Sequence, residues 1–463
     1  FIIIDMGVTF DKEITDEVLV PDPKLLIEIK KRTKAIILTH AHEDHYGSIP
    51  YIWPLINVPV YGSKFSIGML RDKMKEFGPS AGKITYHVFK NDTMRIGNQF
   101  EIKLIPVVHS ILDAYAFVIK TKYGEVLHTG DWKFGKDPTT GREFFPSSLP
   151  QYFDKSLPTL GIVCDSTGAS VSENQQTVSE DVVRANMIDL VSNIKKERVI
   201  ITCFSSNITR LETFALAAQK TGRSLMLSGR SLKRTEKIAR DCGYLKNYSP
   251  FVSEDKFKSL PREKVLFVCT GSQGEEKSAM YRIADGTHIN ARVDDGDYVI
   301  FSAKAIPGNE KNIIAIQNML VEKGVKIITS KHLPIHSSGH PTRKDLKDLY
   351  EVVRPEALIP VHGDFMHLYE HKDFALENGI EYAPLVKNGE CLDLVTKEIK
   401  FSIEIDKLSV EGTKIIPLDG KIITERKQVM SSGLVNVILT REENVMKVIG
   451  IQFIGLFEPT ESK

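Results

Sequence analysis

Three histidines and an aspartate fall within six residues in Thr39-His40-Ala41-His42-Glu43-Asp44-His45, directly after the apolar run at residues 35–38. Imidazoles and carboxylates crowded at the end of a buried strand repel one another or stay unsatisfied unless a cation compensates them. The stretch therefore reads as a metal site. His40 and His42 are two apart on extended backbone, so both side chains project the same way and can share one ion. Asp44 and His45 follow as the chain turns, and their different direction suits a second ion nearby. Four groups cannot complete two coordination spheres, so further donors must come from polar residues at other strand ends. His109 ends the apolar run 105–108, Asp131 follows residues 125–127 in His128-Thr129-Gly130-Asp131, and His362 follows residues 357–361.

The elements that must carry these groups can be read from apolar periodicity. Short strand-like runs occupy residues 1–4, 35–38, 58–61, 102–108, 116–119 and 161–164, with helical patterns at 23–32 and 48–56. Mixed strands with interposed helices point to an α/β sandwich. Near residue 175 the texture changes to a repeated unit of apolar strand, polar or Gly-rich loop and amphipathic helix. Strands at 199–204, 224–227, 264–269 and 298–302 lead into helices at 208–220, up to Cys242, at 275–284 and at 310–322. Such βα repeats imply a largely parallel sheet with its loops gathered at the carboxyl ends of the strands. Loops that open onto helix N-termini favour anions, although none of these has the Gly-Lys-Ser/Thr of a Walker A loop. After residue 325 the runs shorten again.

Composition sets the outer limits. A 463-residue chain holds two or three domains, and 42% hydrophobic with 26% charged residues is ordinary for a globular protein. No run of eighteen apolar residues is present, so no membrane span is expected. Five scattered cysteines without a close pair suit a reducing, cytoplasmic setting. With a formal net charge of +1, nucleic-acid binding would need its basic residues concentrated in one channel.

Eight further stretches occur in one order along nearly the whole chain. They are His-Thr-Gly-Asp-Trp-Lys (128–133), Cys-Asp-Ser-Thr (164–167), Ser-Ser-Asn (205–207) and Gly-Arg-Ser (229–231) in the first half. Thr-Gly-Ser-Gln-Gly-Glu (270–275), Ile-Pro-Gly-Asn-Glu (306–310), His-Ser-Ser-Gly-His (336–340) and Pro-Val-His-Gly-Asp (360–364) follow. The set resembles the metallo-β-lactamase fold and the β-CASP nucleases inserted into it, and within them the ribonuclease J family. The resemblance implies an αββα sandwich at 1–175 and 326–400, a β-CASP domain at 176–325, and returning strands at 401–463. It implies two Zn²⁺: His40, His42 and His109 on one, Asp44, His45 and His362 on the other, and Asp131 bridging. Asp5 would support the site from behind, while Asp165, His340 and Asp44 would serve catalysis. Ser205, Ser206 and Asn207, with His336, Ser337, Ser338, Gly339 and His340, would contact substrate phosphates. His87, His128, His288, His367 and His371 read as surface or supporting groups.

The implied activity is hydrolysis of single-stranded RNA from the 5′ end, with endonucleolytic cleavage left open, giving 5′-phosphate and 3′-hydroxyl ends. Two divalent cations would leave the centre cationic and lower the pKa of bound water to roughly 7. A DNA nuclease, a small-molecule hydrolase and a non-catalytic RNA-binding subunit are the alternatives. The family's first strands and its C-terminal domain do not fit in this chain, which reads as a fragment or trimmed form. The full-length protein would be a homodimer or homotetramer.

Overall fold

A computed structural model describes residues 1–11, 17–78, 82–171 and 178–456. The expected boundary at 175/176 lies outside the described residues. Two sheets stack face to face. The first has four parallel strands in the order Ile2–Ile4, Ala35–Ile37, Val60–Gly62, Tyr86–Val88. The second has six, in the order Leu358–Val361, Thr159–Asp165, Gly124–His128, Tyr115–Thr121, Phe100–Pro106, Thr93–Ile96. Ala35 and Ile37 from the first sheet pack on Ile102, Leu104 and Phe117 from the second, forming the layer between them. Helices Ile49–Ile56 and Lys64–Lys75 supply apolar side chains beside the first sheet. Helices Arg343–Val353 and Phe365–Glu377 cover the second. The result is the expected αββα sandwich.

Strand direction places the site. Gly124–His128, Thr159–Asp165 and Leu358–Val361 are mutually parallel, so their carboxyl ends share one edge of the sheet. Phe100–Pro106 runs the same way, because Tyr115–Thr121 lies antiparallel to it and to Gly124–His128. The residues that follow these strands therefore converge on one rim.

The βα repeats form a separate, wholly parallel sheet in the order Ser224–Ser228, Val265–Cys269, Val199–Thr202, Tyr298–Phe301, Lys326–Ile328. Val199–Thr202 and Val265–Cys269 are buried throughout, as central parallel strands covered on both faces must be. Two details differ from the sequence reading. Lys326–Ile328 is the fifth strand of this sheet, although the shortening of the runs had placed the return to the sandwich at residue 326. The third helix starts at Ala279, not at 275. Gly271 and Gly274 take positive φ values of 115° and 78°, and the turn they make delays the helix until Ser278 caps it.

One apolar cluster runs without a break from the sandwich helices (Trp53, Phe65, Leu70) to the repeat unit (Leu211, Phe214, Ile238). Gly68 lets the two sides approach closely, since a Cβ there would lie 2.8 Å from Ile238. Beyond the sandwich, Leu434–Glu442 and Val445–Ile454 form an exposed hairpin. Among the described residues no helix is long and apolar enough to cross a membrane.

Candidate metal centre

Tight geometry begins behind the histidine stretch. Asp5 follows the first strand at φ 58°, in the left-handed region that aspartate enters more readily than most residues. Its carboxylate accepts from Thr39 N–H (2.8 Å), Thr39 Oγ (2.6 Å) and His45 Nδ1–H (2.7 Å). Asp5 thus fixes both the chain turn and one imidazole. His45 lies on the short helix Glu43–Tyr46, which brings its ring beside that of His40, with centroids 3.9 Å apart.

The strand ends bring two groups of donors together. His40, His42, His109 and Asp131 place one ligand atom each within 4.8 Å of one another, and so do Asp44, His45, Asp131 and His362. In the first group His42 Nδ1 lies 3.1 Å from His40 Nε2 and 3.1 Å from His109 Nε2. Asp131 Oδ2 is 3.7 Å from His40 Nε2 and 3.6 Å from His109 Nε2. In the second, Asp131 Oδ2 is 3.3 Å from His45 Nε2 and 3.5 Å from His362 Nε2, while Asp44 Oδ2 is 3.2 Å from His362 Nε2. Tetrahedral ligands at the usual zinc bond length lie roughly 3.4 Å apart, so these spacings suit an ion at the centre of each group. Two polar atoms support the same fit: His45 Nε2 and Asp131 Oδ1 are buried without a hydrogen-bond partner. A cation is the partner this donor set lacks.

Each imidazole is oriented by its outer nitrogen. His40 Nδ1 meets Thr39 Oγ at 3.0 Å, His42 Nε2 meets Ser206 Oγ at 3.2 Å, and His109 Nδ1 donates to Gly339 O at 2.7 Å. His362 Nδ1 meets Thr167 Oγ at 2.9 Å, with Asp165 Oδ1 3.3 Å away. His362 itself is held at φ 60°. Burial pushes His40, His42 and His109 below the ordinary imidazole range, His42 to about 4, so all three face the centre unprotonated. Burial opposes charge on Asp131 as well, but the surrounding imidazoles, His45 first, outweigh it and keep the carboxylate ionised.

Asp165 and His340 lie beside the second group. Asp165 Oδ2 is 2.8 Å from His340 Nδ1, and the His340 ring stacks on His362 with centroids 5.5 Å apart. Burial works against a proton on His340, but Asp165 and then Asp131 overcome it and raise its pKa. Asp131, Asp165, His340 and His362 also form a third set of close donors.

The expected phosphate-contact residues divide. Ser206 touches His42, and Ser205 lies beside it, partly exposed. Asn207 is mostly buried, and its side-chain oxygen caps helix Ile208–Thr221 by accepting from Arg210 N–H at 2.8 Å. Ser337 is not open to a ligand: it is 2% exposed, accepts from Lys133 Nζ at 2.5 Å and donates to Val178 O. His336 is largely buried and held at about 3, chiefly by burial. Ser338 is exposed, and its hydroxyl accepts from His340 N–H at 3.2 Å. Gly339 packs so closely that a Cβ would lie 2.6 Å from His109 Nδ1.

Thr39, Lys133 and Thr167 stood in the quoted stretches without a role of their own and Arg210 lay outside them; the fold supplies their contacts. His371, read as a surface or supporting group, is fully buried between Ser166 Oγ (2.8 Å) and Tyr350 Oη (2.6 Å). His128 is partly buried, with Nδ1 accepting from Gly130 N–H at 3.1 Å.

Residues 2–160 match the metallo-beta-lactamase superfamily, 196–320 the beta-CASP domain of ribonuclease J, and 332–383 the RNA specificity domain of Zn-dependent metallo-hydrolases. The chain is 39% identical over 445 residues to ribonuclease J of Sinorhizobium meliloti, covering 94% of this chain and 77% of that protein. The chain belongs to the ribonuclease J family. Against ribonuclease J of Helicobacter pylori identity is 33%, over 94% of this chain but only 63% of the relative. Against ribonuclease J 1 of Streptococcus pyogenes it is 31%, over 97% and 80%. A solved structure of a protein of unknown function from Enterococcus faecalis shares the fold, with TM-score 0.59 and 18% identity over 84% of this chain and 93% of that one. Both donor groups of this ribonuclease J family member thus lie within the matched segments.

Proposed function

We propose that the chain hydrolyses phosphodiester bonds of single-stranded RNA at a centre for two Zn²⁺ ions. Family membership and the His/Asp donor groups together make it a metal-dependent nuclease; the ion's identity, its number and the direction of cleavage are our reading. The observation that carries it is Asp131, whose carboxylate lies within 3.7 Å of imidazole nitrogens in both donor groups. His40, His42 and His109 would hold one ion, Asp44, His45 and His362 the other, and Asp131 would serve both. When bound, the ions supply charge to stabilise the phosphoryl oxygens and make water a usable nucleophile at neutral pH.

The chain's own residues supply the remaining steps. Asp165 occupies His340 Nδ1, which leaves Nε2 as the nitrogen that hands a proton to the departing O3′. Asp165 also lies by His362 Nδ1 and so sets the orientation of both rings. Proton delivery to O3′ leaves the upstream fragment a 3′-hydroxyl, and the downstream fragment keeps the phosphate on its 5′ oxygen. Ser205 and Ser206 would meet the phosphate backbone from the parallel-sheet unit, and Ser338 from the sandwich chain. The domain division at 1–175, 176–325, 326–400 and 401–463, with strand Lys326–Ile328 moved to the parallel-sheet unit, a cytoplasmic location, and assembly into dimers or tetramers belong to the same proposal.

RNA labelled at its 5′ end, carrying a mono- or triphosphate, tests the reading. With Zn²⁺ present, the monophosphate form should release label as mononucleotide; a labelled longer product would show internal cutting. Intact RNA beside degraded single-stranded DNA would overturn the RNA assignment.

A further inference from the structure

Of the three imidazoles in the first donor group, two are oriented from within the sandwich sequence: His40 by Thr39 and His109 by Gly339 O. His42 is different. Its outer nitrogen meets Ser206, 164 residues away, on the loop that leads from the central strand of the parallel sheet into helix Ile208–Thr221. His42 Nδ1 is turned to His40 and His109, where a cation requires it unprotonated. The ring proton then sits on Nε2 and is donated to Ser206 Oγ. Ser206 keeps its own O–H for another acceptor.

The hydroxyl is not on a free loop. Three and four residues on, Thr209 and Arg210 pin the start of the helix to the sandwich. Thr209 Oγ donates to Asp137 Oδ2 at 3.0 Å. Arg210, 1% exposed and paired at 2.8 Å with Glu180 of its own unit, donates across to Ile335 O at 3.0 Å. Ser206 is thus held over His42 by buried contacts that tie the parallel-sheet unit to both parts of the sandwich chain.

We propose that Ser206 is a positioning residue for the metal ligand His42, so that docking of the parallel-sheet unit completes the metal site and metal binding in turn tightens that docking. The inference rests on reading the donor groups as a metal centre. It gives Ser206 a role that exists before any RNA arrives. Partners that fix the outer nitrogen of a ligating histidine are worth about 10- to 100-fold in metal affinity. Coupling of this kind is reciprocal, so the ion must stabilise the contact as much as the contact stabilises the ion.

The test uses the whole chain without RNA. Zn²⁺ affinity is measured by competition with a chromophoric chelator, and Co²⁺ substitution reports the ligand field. S206A should bind the ion of the first donor group about 10- to 100-fold less tightly and change the Co²⁺ d–d bands, while S206T, which keeps the hydroxyl, should stay near wild type. Amide exchange across residues 208–211 should slow on Zn²⁺ addition in wild type and not in S206A. Unchanged metal affinity in S206A, with only RNA binding weakened, would overturn the inference and leave Ser206 as a phosphate contact. A wild-type chain that takes up no Zn²⁺ would overturn the metal reading and this inference with it. Normal metal uptake without RNA cleavage would sink the proposed activity alone.

Discussion

The Nδ1 of His109 lies 2.7 Å from the carbonyl oxygen of Gly339, 230 positions along the chain. That hydrogen bond joins a ligand candidate to the loop that carries His340. It also sets the tautomer: Nδ1–H donates outward, and Nε2 is left as a bare lone pair 3.6 Å from Asp131.

Gly339→Ala tests how tightly this joint is built. The added Cβ would lie 2.6 Å from His109 Nδ1 and 2.9 Å from Ser110 Oγ, too close for either to stay in place. We expect the His109 ring to be displaced and the first donor group to lose its ion. On the two-ion proposal, metal analysis should fall from about two ions per chain to about one, and RNA cleavage by about 10- to 100-fold. Full metal content with normal turnover would show that the loop can retreat without disturbing His109.

Replacing His40 and His42 together with Ala removes two of the first group's three imidazoles. RNA cleavage should disappear. The metal-free fold should survive, because the rings crowd one another and their loss relieves desolvated polar groups as well as removing packing. Circular dichroism and metal analysis check both halves. Normal turnover in the double variant would remove the metal assignment.

His340 is assigned the proton for the leaving O3′, a role a substrate can bypass. His340→Ala should slow RNA cleavage by about 100- to 10,000-fold, the usual range for general acid catalysis. Bis(p-nitrophenyl) phosphate releases a stable phenolate that needs no proton, so its hydrolysis should fall far less. Equal losses on both substrates would move His340 from proton donor to a purely electrostatic or orienting role.

The parts of this site that local spacing encodes were legible in the sequence. His40 and His42 share a direction because extended backbone alternates its side chains, and His109, Asp131 and His362 stood out as polar residues ending apolar runs. The parallel sheet followed from repeated βα texture. What could not be read was the use of each small polar side chain. Ser337 and Ser338 are identical neighbours in a loop, yet Lys133 and Val178 bury one while the other stays open. Asn207 looked like a phosphate contact and is a helix cap, since both tasks favour the same residue types. Arg210 carried no signal at all, because its partners Glu180, Ser302 and Ile335 meet only in the folded chain.

Arg210 should dominate stability at the start of helix Ile208–Thr221, where it pairs with Glu180 inside the parallel-sheet unit and reaches Ile335 O of the sandwich chain. Arg210→Met leaves Glu180 buried without its cation and should cost about 3–5 kcal/mol. The double variant with Glu180→Gln should recover part of that loss, since no uncompensated charge remains. Urea unfolding of wild type, both single variants and the double variant gives the coupling directly. A cost for Arg210→Met below about 1 kcal/mol would show that water reaches the pair.

His371 predicts how stability depends on pH. Fully buried between Ser166 and Tyr350, its imidazole is pushed down to about 4 by burial, with Asp165 opposing only weakly. In the unfolded chain the same ring titrates near its ordinary value of about 6.5. Between those values the unfolded state binds the proton and the folded state does not. Unfolding therefore becomes easier as pH falls from about 6.5 towards 4, and this contribution is fully present above about 6.5. The gap is worth about 3 kcal/mol at its limit. His371→Gln, which keeps a polar side chain between the two hydroxyls but cannot titrate, should be less stable than wild type at pH 7.5. It should also lose less stability on going to pH 5. Urea midpoints of both proteins at the two pH values, read without added metal, decide it: parallel pH slopes would mean that His371 is not the group that takes up the proton.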